Sequence, residues 1–217
     1  MFSEEFVRTA IKQQRMLPLF YHDDIETCTG LANALYEAGV RCLEFTNRGA
    51  KALENFEAIV KERDSRMPGM LLGVGTIKTS EEANRFINAG ADFLVSPVFD
   101  ASVCDAAYIA KVLWIPGCMT PTEIHVAQQA GCNLVKLFPG NLLKPSFIEA
   151  IRPLFRNMDY VVTGGVDTTA ENINSWFKAG AAGVGMGSKL ITKEIMEQKN
   201  WELLKQETLK VMEILRG

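Results

Sequence analysis

The sequence predicts an α/β fold, a closed (β/α)8 barrel of the TIM type with one extra N-terminal helix, as a single domain over residues 1–217. Three observations point there. Eight short apolar runs punctuate the chain: "MLPLF" (16–20), "CLEFT" (42–46), "MLLGVG" (70–75), "DFLVS" (92–96), "VLWIP" (112–116), "NLVKLF" (133–138), "DYVVTG" (159–164) and "AGVGMG" (182–187). Segments of helical period lie between them, with no linker or low-complexity stretch. An Ala-Gly signature precedes every second run, in "EAGVRCLEF", "NAGADFLVS", "QAGCNLVKL" and "KAGAAGVGM".

The extra helix is expected at 3–14, within "MFSEEFVRTAIKQQRM", which is charged and amphipathic and lacks the apolar core of a signal peptide. Further helices are expected at 25–38, 50–63, 80–89, 122–130 and 170–179, and a long final one at 201–215. The stretch after the fourth run has the weakest helical signal, so its helix should be short. Gly39, Gly90, Gly131 and Gly180 fall where helices should stop, although αβ loops favour Gly for generic reasons too. Eight strands with helices between them imply parallel pairing. A doubly wound open sheet is the alternative, but G-x-G-x-x-G is missing after the first run.

Apolar content of 47% and charged content of 23% are those of an ordinary globular protein. A net charge of -3 gives no footprint for nucleic acid or a membrane surface, so a small molecule is the expected partner. Any anion must then be held by a few placed donors. The five scattered cysteines form no C-x-x-C pair and do not cluster with the two histidines. They read as reduced thiols of a cytoplasmic protein, with no metal site and no cofactor expected. No apolar run approaches the roughly 20 residues needed to span a bilayer.

Barrel strands are apolar on both faces, so an ionisable residue in one is informative. In "CLEFT", Cys42, Glu44 and Thr46 share a face opposite Leu43 and Phe45; in "NLVKLF", Leu134, Lys136 and Phe138 lie opposite Val135 and Leu137. The large apolar pairs suit the helix-facing side, which turns Glu44 and Lys136 into the barrel. Runs two and six stand across from one another in a ring of eight. Both residues lie near the C-terminal ends of their strands, where barrel enzymes place catalytic groups. A buried Glu–Lys ion pair is the purely structural alternative, but such pairs add little stability. A desolvated amine favours its neutral form, all the more beside a cation such as Arg48, and can attack a carbonyl to form a Schiff base. A nearby carboxylate can move the protons. That is the minimum kit for a metal-free aldolase or related carbonyl lyase.

The loops add anion chemistry. "TGGV" after the seventh run and "GMGS" after the eighth offer backbone N–H groups at expected helix N-termini, where many barrels bind phosphate. They predict a phosphorylated substrate with Gly165, Gly187 and Ser188 as donors. Arg48 follows the second run and suits a carboxylate, or is simply solvated. Thr76 and Pro97 follow the third and fourth runs. Thr120 and Pro121 fit a helix cap. His22 and Asp23 read equally as surface loop, and Cys118 as packing.

These motifs, "LEFTNR", "GVGT", "SPVF", "IPGCMTPTE", "VKLFPG", "VTGGV" and "GMGS", stand in an order and spacing that resembles the KDPG/KHG aldolases over nearly the whole chain. The resemblance implies a class I aldolase on a (β/α)8 barrel, commonly a homotrimer. It would cleave a 2-keto-3-deoxy-4-hydroxy acid, foremost 2-dehydro-3-deoxy-6-phosphogluconate, to pyruvate and an aldehyde. The alternatives are 4-hydroxy-2-oxoglutarate or 2-dehydro-3-deoxy-6-phosphogalactonate and, outside the family, a phosphate-binding isomerase or a non-catalytic sugar-phosphate-binding barrel. By the resemblance Lys136 is the Schiff-base lysine and Glu44 the general acid/base. Arg48 and Thr76 hold the pyruvyl carboxylate, and Pro97 and Phe138 shape the pocket. Thr163, Gly164, Gly165, Gly187 and Ser188 line the phosphate end. Departures from the family pattern are Phe45, Asn47 and Gly49 in the second-strand motif, Tyr21 where many members carry Arg, and Val162 where Pro often stands.

Overall fold

The computed structural model describes residues 2–216. Its strands are β1 (Met16–Phe20), β2 (Cys42–Thr46), β3 (Leu71–Gly75), β4 (Phe93–Val95), β5 (Leu113–Ile115), β6 (Gly117–Cys118), β7 (Leu134–Leu137), β8 (Asp159–Thr163) and β9 (Gly183–Met186). Their order is β5-β4-β3-β2-β1-β9-β8-β7-β6, every pairing parallel. The fifth stave is split. β5 pairs with β4 and β6 with β7, because Pro116 between them has no N–H to give, while its carbonyl accepts the Lys136 amide at 2.8 Å. The eight expected runs therefore appear as nine strands of one nearly closed (β/α)8 barrel.

The helices are α1 (Glu4–Gln14), α2 (Ile25–Glu37), α3 (Ala52–Arg66), α4 (Ser80–Asn88), α5 (Ala101–Ala110), α6 (Pro121–Gln129), α7 (Gly140–Ile151), α8 (Ala170–Ala179), α9 (Lys193–Glu197) and α10 (Trp201–Arg216). Most start on a side-chain cap: Ser3, Asp24, Asp100, Thr169 and Thr192 each accept an amide of the first turn. Thr79 with Glu82, and Thr120 with Glu123, form reciprocal capping boxes. Thr120 and Pro121 thus have the capping role expected of them. Gly39, Gly90, Gly131 and Gly180 all take the left-handed backbone that closes a helix, as the Ala-Gly repeat implies.

Two expectations need correction. The helix after the fourth run is not short: α5 has 10 residues against 9 in α4 and in α6. Asp100 caps the amides of Ser102 and Val103, and Val103, Ala106 and Ala107 bury a helical stripe of small side chains. Such a stripe makes a weak amphipathic signal. The second concerns α7, which sequence periodicity did not single out. It is broken at Lys144 (φ 62, ψ 164), just before Pro145, and the break interrupts the 3.6-residue pattern.

Two apolar layers hold the barrel. Inside, Cys42 and Leu134 pack with Leu17, Phe93 and Val161, and Val7 and Ile11 of α1 join them. The extra helix thus plugs one end of the barrel. Outside, Leu43, Phe45, Val135 and Leu137 pack against the helices. These are the faces that strand alternation assigns.

Candidate active site

With Cys42 and Leu134 inside, the next inward positions on β2 and β7 belong to Glu44 and Lys136. Their side chains are 1% and 7% exposed, and Lys136 Nζ lies 3.9 Å from Glu44 Oε1. Glu44 Oε1 has no hydrogen-bond partner among the described residues. A buried carboxylate oxygen left unpaired is costly, so this arrangement is not one that folding alone selects. The Phe138 ring stands 5.3 Å from Nζ. Room for the carboxylate comes from Gly75, in register with Thr46 on the neighbouring strand. A Cβ there would sit 2.7 Å from Glu44 Cδ and 3.0 Å from Cγ. Gly75 is a site residue that sequence reasoning passed over. Its signal was a glycine at the inward position of a strand next to the one bearing Glu44.

The other expected residues stand at or just past the C-terminal ends of the strands. Thr76, directly after β3, is half-buried and has φ 66, a left-handed backbone that β-branched residues avoid. Arg48, two residues past β2, is exposed and makes no ion pair or side-chain hydrogen bond among the described residues. Pro97 is half-buried, and its backbone lies against Gly117. Thr46 and Ser96 are spent structurally: the Thr46 hydroxyl donates to the Phe20 carbonyl at 3.2 Å, and Ser96 Oγ accepts from Trp114 Nε1 at 2.7 Å.

Thr163 is buried at the end of β8; Gly164 and Gly165 follow with φ 93 and 76 and pack against Gly140 and Asn141. Gly187 and Ser188 follow β9. The amides of Gly164, Gly165, Gly187 and Ser188 donate to no backbone carbonyl among the described residues, so they are free to meet an anion. The expectation that these loops sit at helix N-termini is corrected. α8 begins only at Ala170, and residues 187–191 form a turn closed by the Leu190 and Ile191 amides on the Gly187 carbonyl. The donors are loop amides, with no macrodipole aligned behind them.

His22 and Asp23 belong to the β1–α2 connection. His22 Nδ1 accepts the Asp24 amide at 3.0 Å, and Asn55 Nδ2 donates to the carbonyls of both residues. Tyr21 turns to the helix-facing side, its ring 5.7 Å from that of Phe45 and its hydroxyl donating to Asp23. Burial and the Asp23 charge push that hydroxyl up to about 12. Cys118 is buried among apolar groups, which pushes its thiol up to about 12 and fits a packing role.

A buried amine thus faces a buried carboxylate, and the loops after β8 and β9 hold unspent amides. A family model described as KDPG and KHG aldolase matches residues 7–207. The chain belongs to the KDPG and KHG aldolase family. Like its relatives in that family it is an aldolase, an aldehyde-lyase. It is 35% identical over 158 residues to a 2-dehydro-3-deoxy-phosphogluconate aldolase of Treponema pallidum, covering 72% of this chain and 73% of that protein. It is 30% identical over 158 residues to the 2-dehydro-3-deoxy-6-phosphogalactonate aldolase of Escherichia coli, covering 72% and 75%. Among solved structures it resembles the KDPG aldolase of Legionella pneumophila, in which pyruvate is captured as a covalent carbinolamine intermediate. That likeness has a TM-score of 0.87 at 25% identity, over 94% and 97% of the two chains. As an aldolase of this family it shares their barrel, and no helix among its described residues is long and apolar enough to cross a membrane.

Proposed function

We propose that Lys136 and Glu44 are the catalytic pair of a class I aldolase acting on a phosphorylated 2-keto-3-deoxy-4-hydroxy acid, foremost 2-dehydro-3-deoxy-6-phosphogluconate. The observation that carries this is the 3.9 Å approach of a buried amine to a buried, otherwise unpartnered carboxylate. Lys136 attacks the C2 carbonyl, and loss of water leaves an iminium. Glu44 takes the proton of the C4 hydroxyl, the C3–C4 bond breaks, and its electron pair flows into the iminium to give an enamine. Glyceraldehyde 3-phosphate leaves. Glu44 returns a proton to C3, and hydrolysis frees pyruvate and the amine. The iminium is the electron sink, so the reaction needs no cofactor.

Arg48 pairs with the substrate carboxylate through its planar fork, and Thr76, held in a strained backbone, presents its hydroxyl beside it. Pro97 and Phe138 wall the pyruvyl end. Thr163, Gly164, Gly165, Gly187 and Ser188 take the distal phosphate, a role supported by the unspent amides of Gly164, Gly165, Gly187 and Ser188. The phosphorylated substrate is supported by the names of the relatives, which act on the gluconate and galactonate phosphates. The enzyme is read as a single cytoplasmic barrel domain assembling as a homotrimer.

Borohydride reduction in the presence of pyruvate tests the mechanism: wild type should gain one covalent adduct, mapped to Lys136, and Lys136→Ala none. An adduct on another lysine would overturn the assignment. A panel of retro-aldol substrates, followed by pyruvate release, should favour the phosphogluconate. Faster cleavage of the phosphogalactonate or of 4-hydroxy-2-oxoglutarate would reassign the substrate while leaving the mechanism intact.

A further inference from the structure

Arg48 has no partner among the described residues that fixes its side chain, so its position depends on the loop that carries it. That loop, residues 47–51, enters α3 without the usual help: its N-cap is Lys51, and no side chain caps the helix. What it has instead is Tyr21 from the neighbouring connection. A Cβ on Gly49 would overlap the Tyr21 hydroxyl, so the phenol fills the space that any larger residue at 49 would take. The same hydroxyl donates to Asp23, and the Lys51 amide faces its oxygen. The buried Asn55 of α3 reaches back to the carbonyls of His22 and Asp23 at 2.9 and 3.0 Å, lacing the two connections from the other side.

We propose that Tyr21 is a positioning residue for carboxylate recognition: with Gly49 and Asp23 it latches the β2–α3 loop so that Arg48 is held at the barrel mouth. The inference rests on the reading of Arg48 as the carboxylate ligand. The latch has three parts with separate tasks. The phenol ring anchors on Phe45, 5.7 Å away, which belongs to the same stave as Glu44. The hydroxyl fixes the loop at Gly49, and Asp23 fixes the hydroxyl. A loop secured this way presents its Arg without having to order it when substrate arrives, which is where the affinity comes from.

Pyruvate alone is a sufficient probe, because its enamine on an aldolase exchanges C3 hydrogens with deuterium oxide. The half-saturating pyruvate concentration and the maximal exchange rate are measured by NMR for wild type, Tyr21→Phe, Arg48→Ala and the double variant. Thermal melts establish that each is folded. Tyr21→Phe keeps the ring and removes only the hydroxyl. It should raise half-saturating pyruvate about 3- to 10-fold, the scale of one hydrogen bond, with the maximal rate within about twofold. Asp23→Ala, which leaves Tyr21 in place, should shift it in the same direction by less. In the Arg48→Ala background Tyr21→Phe should add nothing. A full additional rise in that background, or a lower maximal rate at unchanged half-saturation, overturns the latch and leaves Arg48 in place. If Arg48→Ala itself does not move half-saturation, the reading of Arg48 fails, and the latch with it.

Discussion

Glu44→Gln separates a catalytic carboxylate from a structural ion pair, because the two roles predict different numbers. At 3.9 Å, with an effective dielectric of about 20, the attraction between Glu44 and Lys136 is about 4 kcal/mol. Burial of the two ions costs several kcal/mol each. Among the described residues Glu44 Oε1 accepts no hydrogen bond that would offset that cost. Attraction therefore does no more than offset desolvation, and the pair adds little net stability. The isosteric amide should change the unfolding free energy by no more than about 1–2 kcal/mol. Turnover should fall about 10²–10⁴-fold, the usual worth of a positioned proton carrier, or about 3–5 kcal/mol on the barrier. Urea unfolding gives the first quantity, and pyruvate release coupled to NADH oxidation the second. Turnover within tenfold of wild type in a folded Glu44→Gln protein would refute the proton-transfer role. A stability loss beyond about 3 kcal/mol, with activity simply tracking the folded fraction, would make the pair structural.

Three further outcomes are expected. Gly75→Ala drives a methyl into the Glu44 carboxylate, so it should cost about 1–3 kcal/mol by overpacking and about 10²-fold in turnover by displacing that group; thermal unfolding and pyruvate release check the two. Thr76→Gly relieves a left-handed backbone and should raise the unfolding free energy by about 1 kcal/mol, and with it the urea midpoint, while weakening pyruvate half-saturation as its hydroxyl is lost. An unchanged midpoint would mean that the backbone there is not strained. Burial pushes the thiols of Cys28, Cys42 and Cys118 up to about 12, so at pH 8 almost none is thiolate. Iodoacetamide at pH 8 should leave these three intact in the folded enzyme and label all five cysteines in guanidinium, as read by mass spectrometry.

The barrel was legible because its strands are buried on both faces and so read as continuous apolar runs ended by Gly or Pro. Against such runs Glu44 and Lys136 stand out as the residues that folding has no reason to place there. What stayed hidden depends on neighbours across the sheet. Gly75 matters only through its register with Thr46, which brings it over Glu44. Thr76 gives no hint of a left-handed backbone, since β-branched residues disfavour it. The split at Pro116 follows from which strand pairs on each side, and α5 hid because small residues make a faint stripe.

Tyr21 and Gly49 show most clearly why a one-dimensional reading stops where it does. Each departs from the pattern of the family that the sequence resembles, and 28 positions apart each looks independent of the other. In the fold they meet. The Tyr21 hydroxyl occupies the space a side chain at 49 would take: Tyr21 beside a larger residue would collide, and Gly49 without Tyr21 would leave the loop before α3 with no side-chain cap and without the phenol against it. The two departures are then coupled in this fold, through a steric hold on the residue after Arg48. That is why the departures leave the Lys136–Glu44 pair untouched. They alter how the loop that carries Arg48 is held, while Glu44 and Lys136 lie on the inward faces of β2 and β7.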